Sequence, residues 1–142
     1  MEISELQSNE HDILQAFKDK EYPATDKEHY GENIPDFTEK DFTLISKESE
    51  EITGQIHIII RYGIAYIDSL LIGVEHRGKG LGKKLVEMAE IKAKENGAHK
   101  IWLETGSTWS AKGFYEKLGY VVRTILPNDV GHQECVLLDK ML

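Results

Sequence analysis

The residues best suited to chemistry in this chain lie in the segment 77–84, which reads Arg-Gly-Lys-Gly-Leu-Gly-Lys-Lys. An apolar stretch at residues 67–72 predicts a buried strand before it, and a helical pattern of apolar residues follows it. A helix start offers unpaired N–H groups and the positive end of the helix dipole, and glycines let an anion approach the backbone. We therefore predict that this segment binds a diphosphate.

Spacing decides which kind of phosphate site this is. A P-loop requires Ser or Thr where Lys84 stands, and a dinucleotide-binding turn requires a third glycine where Lys83 stands. The pattern that fits is Arg-x-x-Gly-x-Gly, formed by Arg77, Gly80 and Gly82 after an apolar strand. This pattern resembles the acetyl-CoA-binding motif of the GNAT N-acetyltransferase superfamily.

A second motif lies further along the chain. Residues 111–120, Ala-Lys-Gly-Phe-Tyr-Glu-Lys-Leu-Gly-Tyr, resemble the Ala-x-x-Phe-Tyr-x-x-x-Gly-Phe/Tyr segment near the end of GNAT domains. The alternative is an amphipathic helix end whose aromatic side chains only pack. The position of the motif, after the glycine turn and a short strand, favours the functional interpretation. The resemblance covers residues 42–126.

The resemblance implies a function. It implies one N-acetyltransferase domain over residues 1–142, which moves an acetyl group from acetyl-CoA to a primary amine of a small molecule or peptide. The amine would attack directly in a ternary complex. The alternative is a non-catalytic CoA-binding module that serves as a sensor or regulatory subunit. Binding of a nucleotide phosphate is disfavoured because both spacings for it fail.

The resemblance also implies which residues contact the cofactor. The strand before the glycine turn is expected to splay from its neighbour and to offer backbone groups to the pantetheine arm. Thr108 stands where many family members carry Asn, and its side chain has a shorter reach; Val74 replaces a frequent proline. The expected contacts are Leu70, Leu71, Ile72, Arg77, Gly78, Lys79, Gly80, Leu81, Gly82, Lys83, Thr108 and Phe114.

Proton transfer requires an acid and a base. The family match implies that Tyr115 is the general acid for the leaving thiolate. Glu104, at the end of its strand, and Asp68, on the central strand, are rival candidates for the base, and a water chain is the third. His132 lies in a loop predicted to overhang the acceptor, where it contacts the substrate or serves only as a turn residue.

Composition excludes several classes of function. The net charge is −8, from 25 acidic and 17 basic residues, which argues against nucleic acid as a partner. Cys135 is the only cysteine, so no internal disulfide is expected, and its apolar strand offers no cation to activate it as a nucleophile. The six histidines lack metal-ligand spacing, so we predict no metal. No membrane-spanning or signal segment is evident, and we expect a cytoplasmic protein, with homodimer formation left open.

The order of predicted elements indicates an α/β fold. Alternating apolar residues at 52–60 are typical of antiparallel sheet, and helical patterns follow at 81–95 and 111–118. The remaining strands are expected at residues 42–46, 64–72, 100–104, 120–126 and 134–138. We therefore predict a mixed, mostly antiparallel sheet with helices on both faces, the GNAT fold. Residues 23–37 contain two prolines and a glycine, which predict a loop or a broken helix.

Overall fold

The alternating isoleucines of residues 52–60 lie in one strand of a six-stranded sheet. The computed structural model describes residues 1 and 3–142, which form two compact units, Met1–Pro35 and Asp36–Leu142. The strands are β1 (Lys40–Glu48), β2 (Glu51–Arg61), β3 (Ile64–Ile72), β4 (Lys100–Gly106), β5 (Val121–Leu126) and β6 (Cys135–Met141). The helices are α1 (His11–Tyr30), α2 (Leu81–Glu95) and α3 (Ser110–Lys117).

The strand order confirms the predicted fold class. The sheet has the order β1-β2-β3-β4-β6-β5, and every neighbouring pair is antiparallel except β3 and β4. Parallel neighbours need a crossover, and α2 provides it between β3 and β4. The single-domain organisation of the chain stays a prediction.

One face of the sheet carries the hydrophobic core of the larger unit. Ile56, Ile58 and Ile60 of β2 are at most 3% exposed and pack in one cluster with apolar side chains of β3, β4 and β6. Both α2 and α3 contribute to this same cluster, α2 through Leu85, Val86, Ala89 and Ala93. The core thus fixes the first turn of α2 beside the end of β3.

The smaller unit contains α1, and here the sequence-based interpretation was wrong in part. The helix continues through Pro23 to Tyr30 and ends at Gly31, which has a left-handed φ of 62°. A proline removes one N–H donor and usually breaks a helix, but α1 has no buried residue, so water can satisfy the carbonyl left free. Although α1 is long, no helix among residues 1 and 3–142 is apolar enough over its length to cross a membrane.

Candidate active site

The glycine turn between β3 and α2 has a backbone that only glycine adopts readily. A short 3-10 turn, Val74–His76, leads from β3 into residues 77–80. Gly78 and Gly80 have left-handed φ angles of 73° and 81°, and no other atom lies within 4 Å of where a Cβ would stand at either position. The two glycines are therefore required by conformation, and the space in front of them is open.

A row of free backbone donors faces that open space. The N–H of Arg77 donates to the Val74 carbonyl, and the N–H of Lys84 donates to the Gly80 carbonyl at 3.2 Å. Within the part of the chain that the structure describes, none of the six N–H groups of residues 78–83 between them donates to a protein acceptor. Six unpaired donors at the positive end of a 15-residue helix are suited to a diphosphate.

The cations around the turn have different roles. Arg77 folds back, and its Nε donates to the Ile72 carbonyl at 3.1 Å, so it fixes the turn to the strand. Lys83 lies 3.7 Å from Glu87 one helical turn along. Lys79 and Lys84, together with His76, line a cavity of about 190 Å³ next to the turn. These two lysines supply positive charge beside the free donors.

The sheet splits beside the glycine turn. The strands β3 and β4 pair only over three positions, Ile64–Tyr66 against Lys100–Trp102, and diverge beyond them. On its other edge, β3 stays paired with β2 as far as Ile72. The edge of β3 that faces β4 is thus unpaired from residue 67 onward, including Leu70, Leu71 and Ile72. A slender chain inserted into the split finds backbone donors and acceptors there.

A β-bulge places Asp68 next to the split. Ile67 pairs with Ile58 and Ser69 pairs with His57, so Asp68 is an extra residue without a partner. Ser69 accepts a hydrogen bond from the Gln55 side chain at 3.1 Å on the face opposite the core. Because the two bulge residues point to the same side of a strand, exposed Asp68 lies on that face as well.

Glu104 lies across the split from Asp68. Its neighbours in β4, Leu103 and Thr105, are buried in the core, so alternation turns the exposed Glu104 to the opposite face. Both carboxylates act on Tyr66: burial raises the pKa of the Tyr66 phenol, and the negative charges of Glu104 and Asp68 raise it further. Asp68 and Glu104 thus lie on the same face of the sheet, and both are close to Tyr66.

Tyr66 and Trp102 lie beside the two carboxylates, and the sequence analysis did not single them out. Their ring centroids are 4.6 Å apart, at the last position where β3 and β4 pair. Both rings are half-buried, on the face that carries Asp68 and Glu104. Only the register of two parallel strands brings them together, and the sequence contains no signal for that register.

Tyr115 lies in the core, on the face of the sheet opposite Asp68 and Glu104. Its side chain is 4% exposed and packs edge-on against Phe114 and Tyr120, with centroid distances of 5.0 and 5.3 Å. Burial raises the pKa of the Tyr115 phenol well above its ordinary value, so the group is protonated at neutral pH. Its hydroxyl makes no hydrogen bond to any of the residues described, and it is available as a proton donor.

The predicted contacts at the start of α3 are only partly assembled. The Phe114 ring lies 3.4 Å from where a Cβ on Gly82 would stand, so it packs directly on the first turn of α2. Thr108 is exposed in the turn after β4 and has no hydrogen bond within the described chain. The next residue, Trp109, covers Gly106 and donates its indole N–H to the Gln133 side chain at 3.2 Å.

Two further candidates lie outside this cluster of side chains. His132 is exposed, with a left-handed φ of 61°, and its Nδ1 lies 3.1 Å from the Asn128 side-chain oxygen within the same loop. That pairing makes it a turn residue in this structure, and its contact with an acceptor stays a prediction. Cys135 is buried in β6 at 2% exposure. In residues 1 and 3–142, no group of three His, Cys, Asp or Glu side chains is arranged to hold a metal.

Comparison with known proteins decides the family. The chain matches the Acetyltransferase (GNAT) family over residues 6–120. It belongs to the GNAT family. The sequence is 31% identical over 80 residues to YobR, an uncharacterized N-acetyltransferase of Bacillus subtilis (strain 168). That match spans 56% of this chain and 32% of YobR, so this GNAT chain covers about a third of the length of YobR.

Solved structures share the GNAT architecture. An acetyltransferase from Bacillus cereus ATCC 14579 superposes with a TM-score of 0.76 at 20% identity, over 100% of this chain and 98% of that one. A protein from Bacillus anthracis str. Ames, solved in complex with acetyl coenzyme A, superposes with a TM-score of 0.65 at 25% identity. That match covers 72% of this chain and 62% of the other. The fold predicted from the two sequence motifs is therefore the fold of this chain.

Proposed function

We propose that this protein transfers the acetyl group of acetyl-CoA to a primary amine, which attacks directly while both substrates are bound. The observation that carries the proposal is the row of unpaired N–H groups at residues 78–83, directly beside the split between β3 and β4. A diphosphate site next to a split strand pair suits one long ligand with an anionic end and a slender arm. The family and the acetyl-CoA complex of a similar fold support the choice of ligand.

The chain's own groups divide the binding work between them. The backbone donors of residues 78–83 hold the diphosphate, with Lys79 and Lys84 nearby, and Arg77 braces the turn through Ile72. The free edge of β3 at Leu70–Ile72 holds the pantetheine arm. When bound, acetyl-CoA supplies the acyl group as a thioester. A backbone N–H aimed at the thioester oxygen would contribute ~3 kcal/mol to catalysis.

Acid and base approach the split from opposite faces of the sheet. Tyr115 belongs to the core face, and Asp68 and Glu104 belong to the other. An amine that enters past the carboxylates loses its proton on one side, and the thiolate accepts a proton from Tyr115 on the other. We propose Glu104 as the base, with Asp68 as its rival. Asp68 is held in a bulge, whereas Glu104 extends from a strand paired along its whole length with β6.

The proposal is tested by two measurements on the full chain. Calorimetry with acetyl-CoA reports binding, and a thiol-release assay with a panel of amines reports transfer. We expect micromolar binding and amine-dependent release of CoA at a stoichiometry of one thiol for each acetylated amine. Binding without release from any amine would favour the non-catalytic CoA-binding module. Absence of binding would overturn both interpretations.

The identity of the base has its own test. Glu104→Gln and Asp68→Asn keep the size of each side chain while removing its ability to accept a proton. If Glu104 is the base, Glu104→Gln lowers kcat by roughly 10²-fold and removes the acidic limb of the pH profile of kcat/KM. In that case Asp68→Asn leaves the shape of the profile unchanged. The reverse result would assign the role to Asp68, and two unchanged profiles would indicate a water chain.

A further inference from the structure

The face of the sheet opposite the core carries a cavity that the proposed reaction has not used. It has a volume of about 490 Å³ and is lined by the rings of Tyr62, Tyr66 and Trp102, by two isoleucines and by the Glu39–Arg61 ion pair. The cavity lies at the paired end of β3 and β4, and the split begins at Tyr66 and Trp102. The strands that line the cavity therefore lead directly into the site proposed for acetyl transfer.

Along this face, the charged groups are paired near the cavity, and unpaired carboxylates lie beyond the aromatic pair. In the cavity itself, Arg61 and Glu39 neutralise each other at 3.4 Å. The cations nearest Trp102 along the sheet, Lys100 and Arg123, are both held by Asp139, at 3.0 and 2.6 Å. Beyond the aromatic pair stand Asp68 and Glu104, which form no ion pair with any residue described and which raise the pKa of Tyr66 together with burial. A ligand on this face meets aromatic rings first and uncompensated negative charge second.

Strand geometry gives the distance between the aromatic pair and the two carboxylates. Asp68 follows Tyr66 by two residues and Glu104 follows Trp102 by two, so each carboxylate stands ~7 Å along its strand from the aromatic pair. A flat ring stacked on Tyr66 and Trp102 would gain aromatic contact, and an ammonium a few bonds away would reach the carboxylates. That ammonium would then stand at the mouth of the split.

We propose that the acceptor is an arylalkylamine: a cationic primary amine linked by a short aliphatic chain to an aromatic ring, with the ring on Tyr66 and Trp102. The proposal rests on the proposed function, because it assigns the acceptor of the same reaction. Trp102 and Tyr66 are specificity residues in this account, and the carboxylates serve both charge recognition and proton transfer. A ring-free polyamine is the competing class, which the carboxylates alone would select.

The test uses three small probes and the full chain. Calorimetric titration with 2-phenylethylamine, with 2-phenylethanol and with n-butylamine separates the ring from the charge. We expect 2-phenylethylamine to bind at least about 10-fold more tightly than either relative, because each relative lacks one of the two features. Trp102→Leu should abolish the advantage over n-butylamine, Trp102→Phe should restore most of it, and Glu104→Gln should abolish the advantage over 2-phenylethanol.

The outcomes separate this inference from the proposed function. Acetyl-CoA binding and thiol release are measured on the same samples. If acetyl-CoA binds and amines are acetylated while the three probes bind alike, or n-butylamine binds best, the assignment of the acceptor is overturned and the reaction stands. If acetyl-CoA does not bind, the reaction is overturned, and the probe titration still decides whether this face selects arylalkylamines.

Discussion

Tyr115 and Tyr120 lie side by side in the core, and only Tyr115 is proposed as the general acid. Each is at most 4% exposed; burial raises the pKa of both phenols, and the neighbouring Glu90 raises the pKa of Tyr120 further. The Tyr120 hydroxyl is fully enclosed, whereas the Tyr115 hydroxyl is not. Two buried phenols thus differ in whether the hydroxyl is fully enclosed. This pair offers a matched test of the general acid.

We predict that Tyr115→Phe lowers kcat by roughly 10²-fold or more, because Phe keeps the ring and removes only the proton donor. Binding of acetyl-CoA should barely change, since the hydroxyl acts in the transition state. The melting temperature should not fall, because no intramolecular hydrogen bond is lost. Tyr120→Phe is the control and should leave kcat unchanged. Full turnover by Tyr115→Phe would remove Tyr115 from the catalytic residues and favour a proton relayed by water.

Much at the residue scale was predictable because the glycine turn has a pattern of its own. Arg77, Gly80 and Gly82 stand at fixed spacing within one segment, and the left-handed φ of Gly80 explains why that position is glycine. Tyr66 was not predictable, because its importance depends on a neighbour 36 residues away in the chain, Trp102. Contacts across parallel strands leave no local trace in a sequence.

At the scale of elements, the turn that joins β4 to α3 is held by close packing. The side chain of Trp109 lies flat on Gly106 so tightly that a Cβ at Gly106 would overlap the indole ring. The indole N–H is held by Gln133 from the loop before β6. Thr108, the predicted cofactor contact, sits inside this turn. The position of Thr108 therefore depends on the absence of a side chain at Gly106.

We predict that Gly106→Ala costs about 1–3 kcal/mol of unfolding free energy, because the added methyl group overpacks the turn. It should also weaken acetyl-CoA binding several-fold if Thr108 contacts the cofactor. Gly113→Ala is the control: a Cβ at Gly113, inside α3, meets no atom within 4 Å, and it should stabilise the helix by about 0.5–1 kcal/mol. Chemical denaturation measures both changes. Equal stability of the two variants would contradict the close packing of this turn.

A buried carboxylate links the three strands β4, β5 and β6. Asp139 is 2% exposed and lies 3.0 Å from Lys100 Nζ and 2.6 Å from Arg123 Nε. Burial alone would raise the pKa of Asp139, but the hydrogen bonds and charges of Arg123 and Lys100 outweigh it and lower the pKa. A carboxylate with a lowered pKa stabilises the fold above the unfolded-state pKa of ~3.9. That contribution disappears as the pH falls through the folded-state pKa.

We therefore predict that Asp139→Asn destabilises the protein by about 2–3 kcal/mol at pH 7, because two cations lose their partner. The difference between variant and parent should begin to shrink as the pH falls below the unfolded-state pKa of ~3.9, and it should be lost once the pH has fallen through the lowered folded-state pKa of Asp139. Denaturation curves at pH 7 and at pH 3 measure both values. A difference that stays constant between these two pH values would show that Asp139 acts through packing and not through charge.

At the scale of the whole molecule, the fold followed from the sequence better than the site did. Alternating apolar residues and turn signals predicted all six strands, and the strand–turn–helix pattern predicted the crossover helix α2 between β3 and β4. The second half of helix α1 was not predicted, because proline and glycine signals in residues 23–37 indicated a loop or a broken helix, although an exposed helix tolerates Pro23. The proposed acceptor site was not predictable, because it lies on the face of the sheet opposite the core and no local motif encodes that face.

The proposed function depends first on binding of acetyl-CoA by the glycine turn. Gly80 and Gly97 form a matched pair at opposite ends of α2: both have left-handed φ, 81° and 89°, and both have open space where a Cβ would stand. Glutamate at either position imposes the same backbone strain and the same added charge. Only Gly80→Glu, however, brings a carboxylate to the free donors of residues 78–83.

The most direct test is calorimetric titration of acetyl-CoA into the parent protein, Gly80→Glu and Gly97→Glu. We predict that Gly80→Glu weakens binding at least about 100-fold, because a side chain and a negative charge meet the diphosphate. Gly97→Glu should bind within about 3-fold of the parent while losing a similar amount of stability, since its charge lies at the far end of the helix. Gly80→Glu that binds acetyl-CoA as tightly as Gly97→Glu would contradict the assignment of the cofactor site.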